Sequence, residues 1–533
     1  MKPLQKYLWL SVLFLGWAFD LLFWKKPLGI NFFLFTLVCL AAGSALLFSA
    51  GHRPSRNAYI LLAAILLTAS GTFMRQEPLT TFLNVTYSLF LMSLLAVTYT
   101  RGEWTGYGVL DYLYNLFRLW LRTGIEPLIF YLNSRHETTL AEVSSTRKRL
   151  MPILRGALLA LPILAVFAGL LASADPIFQQ QTVRLLEVFK LERLTEYSVR
   201  LMLIVIVAYA LAGVFLFAAL RAGEERQTGQ GAPRVPRLLG MTEAGMILGS
   251  VTLLFGFFVS LQFRYFFGGR ANIHLEGYTY AEYARRGFGE LVIVAFGSLL
   301  LLLVLSALTN RRSGWQQRLF SALSAMVVGL VMVILLSAYQ RLILYEAAYG
   351  FSRLRTYTHV FLVWVGVLLV AILLLEIFQR ERRFALAILV ASFGFVVTLN
   401  LVNVDGLIVR QNLAREIQRR TSQEAQFVAL DETYFLQLSP DAIPLMTQYL
   451  QGHSLPDEVT VKVAAVLACF QHRRSLQQPL PWQAFNGSNV RARQALASVA
   501  ETLENYPVVE DEKGVWVSLP AGEEFFCTQG WMD

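Results

Sequence analysis

Charge is scarce in this sequence. Charged residues make up 15% of its 533 residues, whereas soluble domains contain about 25%. Hydrophobic residues reach 56% and the mean hydropathy is +0.51, so the composition excludes an ordinary soluble globular protein. Aromatic residues, with Phe the commonest, suit helices that face lipid and form belts at the two membrane interfaces.

Cysteine and histidine are also scarce. The three cysteines, Cys39, Cys469 and Cys527, lie far apart in the sequence, which excludes a disulfide framework and a zinc-finger spacing. A single disulfide between Cys469 and Cys527 stays open if that part of the chain lies outside the cytoplasm. The six histidines show no metal-ligand spacing, so we expect no metal site.

The sequence lacks the common catalytic motifs. It contains no Walker A sequence, no dinucleotide-binding glycine pattern after a strand, no HExxH and no GxSxG. We therefore expect no nucleotide or other cofactor. Whether the protein is an enzyme stays open, with a non-catalytic role favoured.

Long apolar runs are what the sequence has in abundance. A spanning helix needs about 20 mostly apolar residues, and the runs that approach this length are 7–24, 30–50, 57–74, 79–100, 150–172, 201–221, 244–266, 289–309, 320–343, 358–378 and 384–402. Short polar breaks such as Lys25-Lys26 and Asn310-Arg311-Arg312 separate them. The predicted fold class is all-α, a polytopic membrane protein of about eleven spanning helices followed by a small soluble, mostly helical C-terminal domain.

The C-terminal domain is predicted over 404–533. Residues 405–424 have a helical pattern, and Ser439-Pro440-Asp441 is a typical helix start, with a capping residue before Pro. Further helices are expected from Leu455 to Phe470 and over 489–505. Val515-Trp516-Val517 and Glu524-Phe525-Phe526-Cys527 are the candidates for a terminal hairpin.

Basic residues are concentrated in the membrane part of the chain. The net charge is +10, yet acidic residues outnumber basic ones in 404–533. Because the Lys and Arg residues sit in short loops between apolar runs, they favour membrane orientation and contact with anionic headgroups on the cytoplasmic side, not nucleic-acid binding. Their distribution predicts a cytoplasmic N-terminus. Eleven spans then place the C-terminal domain outside the cytoplasm, whereas ten or twelve would place it inside.

Two segments of the membrane part differ from the apolar runs. Residues 106–122 carry a polar stripe on an otherwise apolar helix, which predicts a helix lying in the membrane interface; packing against the bundle is the alternative. The glycine- and proline-containing segment 222–241 is typical of a flexible cytoplasmic linker. It would separate an N-terminal bundle of about six spans, 1–221, from a C-terminal bundle of about five, 242–403.

Polar residues converge on the predicted outer side. The stretch 274–290 is the densest, and Thr279 with Glu282 forms a capping-box pattern there. An interfacial helix with an aromatic belt and internal ion pairs is the favoured explanation of that stretch, and a charged rim that receives a ligand, headgroup or partner is the alternative. Arg341 lies beside an apolar run and needs a partner, for which Glu346, Glu282 and Asp405 are candidates. The predicted polar vestibule comprises Tyr280, Glu282, Tyr283, Arg285, Arg286, Glu290, Arg341, Glu346, Arg355, Asn403 and Asp405.

Four stretches resemble those of a known family. They are Ser173-Ala174-Asp175-Pro176-Ile177-Phe178, the run from Tyr278 to Phe288, Leu354-Arg355-Thr356-Tyr357-Thr358 and Asn403-Val404-Asp405-Gly406-Leu407-Ile408. They resemble bacterial polytopic membrane proteins catalogued as domain of unknown function 4173, close to its sister 4153, over roughly 150–450. Family members more usually have Asn-Pro-Asp in the last stretch, where Val404 stands here. The resemblance implies a bacterial cytoplasmic-membrane protein and supplies no catalytic residues.

Three functional hypotheses follow. The first is transport or sensing through the outer vestibule. The second is a membrane scaffold or sensor whose C-terminal domain binds an envelope partner. The third is a membrane-embedded enzyme that acts on lipid-linked substrates with Glu282 or Asp405 as base, although no paired carboxylate or metal motif accompanies either acid.

Overall fold

The structure is a computed structural model. It describes residues 2–138, 191–221, 238–266, 288–311, 313–422, 430–452, 455–511, 514–520 and 522–529. The membrane part contains the helices α1 (Lys2–Phe23), α2 (Ile30–Ser49), α3 (Arg56–Met74), α4 (Pro78–Thr98), α5 (Val109–Thr138), α6 (Leu191–Arg221), α7 (Met241–Phe266), α8 (Phe288–Leu308), α9 (Gly314–Tyr349), α10 (Arg353–Ile377) and α11 (Phe384–Val402).

The apolar runs of the sequence become the long helices. Within the described ranges, nine helices are long and apolar enough to cross a membrane, and α1 carries a shorter apolar stretch, Tyr7–Phe23. Ten of the predicted spans therefore coincide with helices, while 150–172 lies outside the described residues. The prediction of a polytopic all-α membrane protein is confirmed.

Local sequence signals set the ends of these helices. The Ser55 hydroxyl caps α3, and the Glu77 carboxylate caps α4 immediately before Pro78. Ser313 and Gln316 form a reciprocal capping box at the start of α9. At its other end α9 stops at Gly350, whose φ of +83° favours glycine.

The helices pack around two main apolar clusters. One is built by α1 to α6, with Leu8, Leu61 and Leu216 fully buried. The other is built by α7 to α11, with Val327 and Leu369 at its centre. Helix α11 contributes to both. The proposed linker at 222–241 stays a prediction, since 222–237 lies outside the described residues.

Helix α5 packs lengthwise along α6. Arg118 lies over the Phe217 ring at 5.5 Å, whereas the Tyr209 hydroxyl donates to the Gly124 carbonyl at 2.6 Å, so the two helices run antiparallel. The polar stripe predicted over 106–122 faces the bundle at Asn115, which is 6% exposed. Phe117 and Trp120 are exposed instead. That α5 lies in the membrane interface stays a prediction.

The C-terminal domain combines helices with a small sheet. Its elements are α12 (Val404–Ser422), α13 (Glu432–Phe435), α14 (Ile443–Gln451), α15 (Asp457–Ser475), α16 (Gly487–Ala497), α17 (Ala500–Leu503), β1 (Val508–Asp511), β2 (Gly514–Ser518) and β3 (Glu524–Gln529). Their core centres on the buried face of α15, from Val463 to Phe470. The predicted hairpin is confirmed as β2–β3, and β1 adds a third antiparallel strand. A disulfide joins Cys469 of α15 to Cys527 of β3.

Candidate functional site: the joint between bundle and domain

The C-terminal domain sits against one end of the bundle, which we call the domain end. Helices α1, α3, α9 and α11 end there, and α2, α4, α6 and α10 begin there. Because α1 ends at the domain end and is 22 residues or about 33 Å long, Lys2 lies at the opposite end. The N-terminus and the C-terminal domain are therefore at opposite ends of the bundle.

Asp405 is the most buried acid at the domain end. Its side chain is fully buried in the first turn of α12 and accepts two hydrogen bonds from the Arg353 guanidinium, at 2.8 and 2.7 Å. The Ser439 backbone N–H donates a third, at 2.7 Å. A charged group that is buried away from water needs hydrogen-bond and ion-pair partners such as these. The three residues lie on the bundle, on α12 and before α14, so this ion pair fastens the domain to α10.

A second carboxylate, Asp441, reaches the turn between α3 and α4. It accepts a hydrogen bond from the Gln76 backbone N–H at 2.8 Å and forms an ion pair with Arg75 at 3.4 Å. Arg491 of α16 lies 3.7 Å from the same carboxylate and donates to the Met74 carbonyl at 2.9 Å. We call Arg353, Asp405, Ser439, Asp441 and Arg75 the joint.

Amide side chains extend the contact on both sides of the joint. Asn84 of α4 and Asn400 of α11 exchange two hydrogen bonds, at 2.9 and 2.8 Å. They pack on Gly71, where a Cβ would lie 2.3 Å from the Asn84 amide nitrogen. Asn486 donates to the Thr72 and Arg75 carbonyls at 3.1 and 3.2 Å. These contacts require small or amide side chains at the positions they occupy.

Helix α12 also covers the turn between α9 and α10. The Asn412 side chain accepts from the Phe351 N–H at 2.7 Å and donates to the Phe351 carbonyl at 3.0 Å. Arg415 donates to the Ala347 and Ala348 carbonyls at the end of α9. Burial lowers the pKa of the Arg415 guanidinium, and the carbonyl bonds compensate part of that desolvation.

Glu346 forms a separate buried pair inside the bundle. Its carboxylate lies 2.5 Å from Nε2 of His359 on α10, and the residue is 1% exposed. In the part of the chain that the structure describes, neither Glu346 Oε1 nor His359 Nδ1 has a hydrogen-bond partner. The Tyr339 ring packs edge-on against His359 at 4.9 Å. A buried acid and base in contact form a pair that can exchange a proton.

The structure describes only part of the predicted vestibule. Tyr280, Glu282, Tyr283, Arg285 and Arg286 lie outside the described residues. Of the others, Asp405 and Asn403 belong to the contact between bundle and domain, since the Asn403 amide donates to the Asp441 carbonyl at 3.2 Å.

The remaining predicted vestibule residues lie on the bundle helices. Arg355 donates to the Gly350 carbonyl and lies over the Tyr345 ring. Glu290 is exposed in the first turn of α8, and Arg341 is half-buried in α9. None of these three is part of the joint as defined above.

Two of the three acids predicted as possible partners of Arg341 form ion pairs with other residues. The sequence offers Glu346, Glu282 and Asp405 as alternative partners of Arg341, but Asp405 pairs with Arg353 and Glu346 pairs with His359. Arg75 and Asp441 were missed as a pair because Arg75 is part of a polar break and Asp441 of a helix start. The helix start Ser439-Pro440-Asp441 lies in a domain rich in acidic residues. This is a weak signal that could have pointed to Asp441.

Two more ion pairs connect the helices away from the joint. Arg200 of α6 binds both oxygens of Asp20 of α1, with its Nε at 3.0 and 3.1 Å. At the opposite end, Arg311 contacts the Glu376 carboxylate and lies 3.2 Å from Glu381. The Arg311 side chain is only 3% exposed. Arg311 is therefore buried, whereas a charged residue in a polar break between spans is normally exposed.

Comparison with known proteins adds one finding. Residues 62–449 match the family described as "Domain of unknown function (DUF4153)", so the match covers the bundle from α3 onward together with α12, α13 and most of α14. Neither the curated proteins nor the solved structures contain a match. The 4173 label that the sequence suggested is not confirmed, because the matching family is the one expected as its sister. The chain belongs to the DUF4153 family of unknown function.

Proposed function

We propose that this integral membrane protein is a scaffold or sensor that holds its C-terminal domain in a fixed position on the non-cytoplasmic face. The observation that carries the proposal is the joint. Asp405 and Asn403, two members of the predicted vestibule, attach the domain to the bundle. The surface that binds a partner would then belong to the C-terminal domain.

Two observations support the sidedness. Cys469 and Cys527 form a disulfide in the domain, and disulfides persist in extracytoplasmic compartments. Arg380, Arg382 and Arg383 are exposed at the opposite end, as the positive-inside rule expects of a cytoplasmic face. By contrast, Arg75, Arg200 and Arg353 at the domain end are paired with carboxylates.

The sheet offers a surface for a protein partner from the envelope. Val509, Trp516 and Phe526 are aligned across the three strands by the register, and Val509 and Phe526 are exposed. The alternate row, which includes the fully buried Val517, packs against the core of the domain. An exposed row of apolar side chains on a small sheet is typical of a contact surface for another chain.

A second candidate function, proton-linked transport or sensing through the bundle, rests on Glu346 and His359. A buried carboxylate with one oxygen that has no partner among the described residues, placed beside a histidine, suits a site that takes up and releases a proton. In that case Glu346→Gln would remove the response while the domain surface would be dispensable.

Complementation of a strain that lacks the gene separates the two functions. We expect Trp516→Ser with Phe526→Ser to abolish complementation although the protein accumulates in the membrane. Glu346→Gln should complement normally. Full activity of the sheet variant together with failure of Glu346→Gln would contradict the scaffold proposal and favour transport.

A further inference from the structure

A cavity of about 410 Å³ opens at the turn between α3 and α4, beside the joint. Its volume lies within the range of small-molecule sites. The cavity has a polar part, formed by Thr72, Arg75, Gln76 and Thr81, and an apolar part, formed by Leu28, Pro78, Phe82 and Val85. Leu28 and Phe82 are exposed where α2 and α4 begin. The apolar part therefore faces the region that lipid would occupy.

Arg75 gives the polar part of the cavity its charge, because it is the charged residue among the eight that line it. Its Nε donates to the Asn400 carbonyl at 2.8 Å, and its Nη1 makes a long contact of 3.4 Å to Asp441. In the described part of the chain, Nη2 makes no hydrogen bond. Asp441 is shared with Arg491 and the Gln76 N–H, so it neutralises Arg75 only in part. A guanidinium group whose charge is only partly neutralised binds phosphate oxygens well.

A hydroxyl in the wall of the cavity also has no partner in the described part of the chain. The Thr81 hydroxyl is inaccessible to solvent and, among the described residues, has no hydrogen-bond partner. Buried hydroxyls are normally satisfied by protein, water or ligand. Thr81 lies one turn into α4 from Pro78, on the wall of the cavity that also contains Arg75.

The adjacent part of the C-terminal domain is apolar on its surface. The Phe485 carbonyl accepts the Ile30 N–H at 2.9 Å, which places this loop at the start of α2 and next to Leu28. Trp482 and Phe485 are 61% and 45% exposed. Exposed aromatic side chains at a helix end are typical of the membrane interface.

We infer that this cavity binds an anionic phospholipid. The phosphate would lie at Arg75, and an acyl chain would follow Phe82 and Val85. The combination of a single cationic side chain with apolar walls at a helix end favours a lipid over a soluble anion. The site does not depend on the proposed scaffold function, because the eight residues that line the cavity all belong to the bundle.

Native mass spectrometry of the purified full chain tests the assignment. The protein would be exposed to micelles containing equal amounts of phosphatidylglycerol and phosphatidylcholine, and the retained lipid would be identified. We expect about tenfold preference for phosphatidylglycerol, or about 1.4 kcal/mol, because both lipids present a phosphate but the choline ammonium of phosphatidylcholine brings a positive charge close to Arg75. Arg75→Gln should abolish the preference.

A second variant distinguishes a loss of lipid binding from misfolding of the protein. Val85→Phe fills the cavity without touching the joint and should reduce phosphatidylglycerol retention about tenfold. Val363→Phe, at an exposed position of α10, is the matched control and should retain lipid as the wild type does. Equal retention of both lipids by the wild type, or undiminished retention by Val85→Phe, would overturn the proposal. Thermal stabilisation by inorganic phosphate without lipid retention would identify a free-anion site and also overturn it.

Discussion

The ion pair between Asp405 and Arg353 offers the most direct test of the joint. Asp405 is fully buried and has three hydrogen bonds, two of them from the guanidinium. Removing one partner of such a pair leaves an uncompensated buried charge and costs about 3–5 kcal/mol. We therefore expect Asp405→Asn and Arg353→Met each to destabilise the attachment of the domain by about 3 kcal/mol.

The double variant distinguishes a true pair from two separate effects. Once both charges are removed, neither residue leaves the other as an unpaired buried charge, so the double variant should be more stable than the sum of the single effects predicts. We expect a coupling of about 2 kcal/mol. Hydrogen exchange of α12 in detergent micelles measures the free energy of local opening and reports on the attachment itself.

An exposed ion pair gives the matched control. Arg101 and Glu103 lie 3.9 Å apart with side chains 43% and 35% exposed, and their coupling should stay below about 1 kcal/mol. If the substitutions at Asp405 and Arg353 are additive, or if α12 exchanges at the wild-type rate in both single variants, then the joint does not hold the domain. The reasoning from burial would be refuted.

Three further outcomes are expected. Gly71→Ala should destabilise the bundle by about 1–3 kcal/mol in thermal unfolding, because its Cβ would collide with two asparagine amides; Gly249→Ala, which has open space, should not. Replacing Cys469 and Cys527 by Ser should destabilise the domain in denaturant by about 4 kcal/mol, the loop-closure value for a 58-residue separation, and added reductant should then have no further effect. Glu376→Gln should lower the unfolding temperature markedly at neutral pH, since its buried arginine loses a charged partner; an unchanged temperature would contradict the buried ion pair.

The sequence predicts the secondary structure of this protein well. Apolar runs of about 20 residues specify spanning helices almost by themselves, because unsatisfied backbone groups are excluded from lipid. Capping residues such as Ser439 and breaks such as Lys25-Lys26 then fix where the helices end. The terminal hairpin was also predictable, because aromatic and β-branched residues cluster at Val515-Trp516-Val517 and Phe525-Phe526.

The pairing of charges was not predictable in the same way. Asp405 stood out as an acid after the last span, but which arginine it meets depends on how α10 and α12 cross. Arg341 looked like the partner because it lies next to an apolar run, whereas Arg353 opens α10 and resembles an interfacial residue. Asp441 serves as a helix-start residue and an ion-pair acceptor together, and only the first role has a local pattern.

The side of the membrane on which the C-terminal domain lies is the measurement that tests the central claim most directly. Paired reporters fused after Asp533, one active only outside the cytoplasm and one only inside, give the answer. Fusions after Gln379, at the opposite end of the bundle, serve as the control and should give the reverse pattern. We predict activity of the external reporter after Asp533. Activity of the internal reporter there would contradict the account, because it would place the joint, the disulfide and the sheet in the cytoplasm.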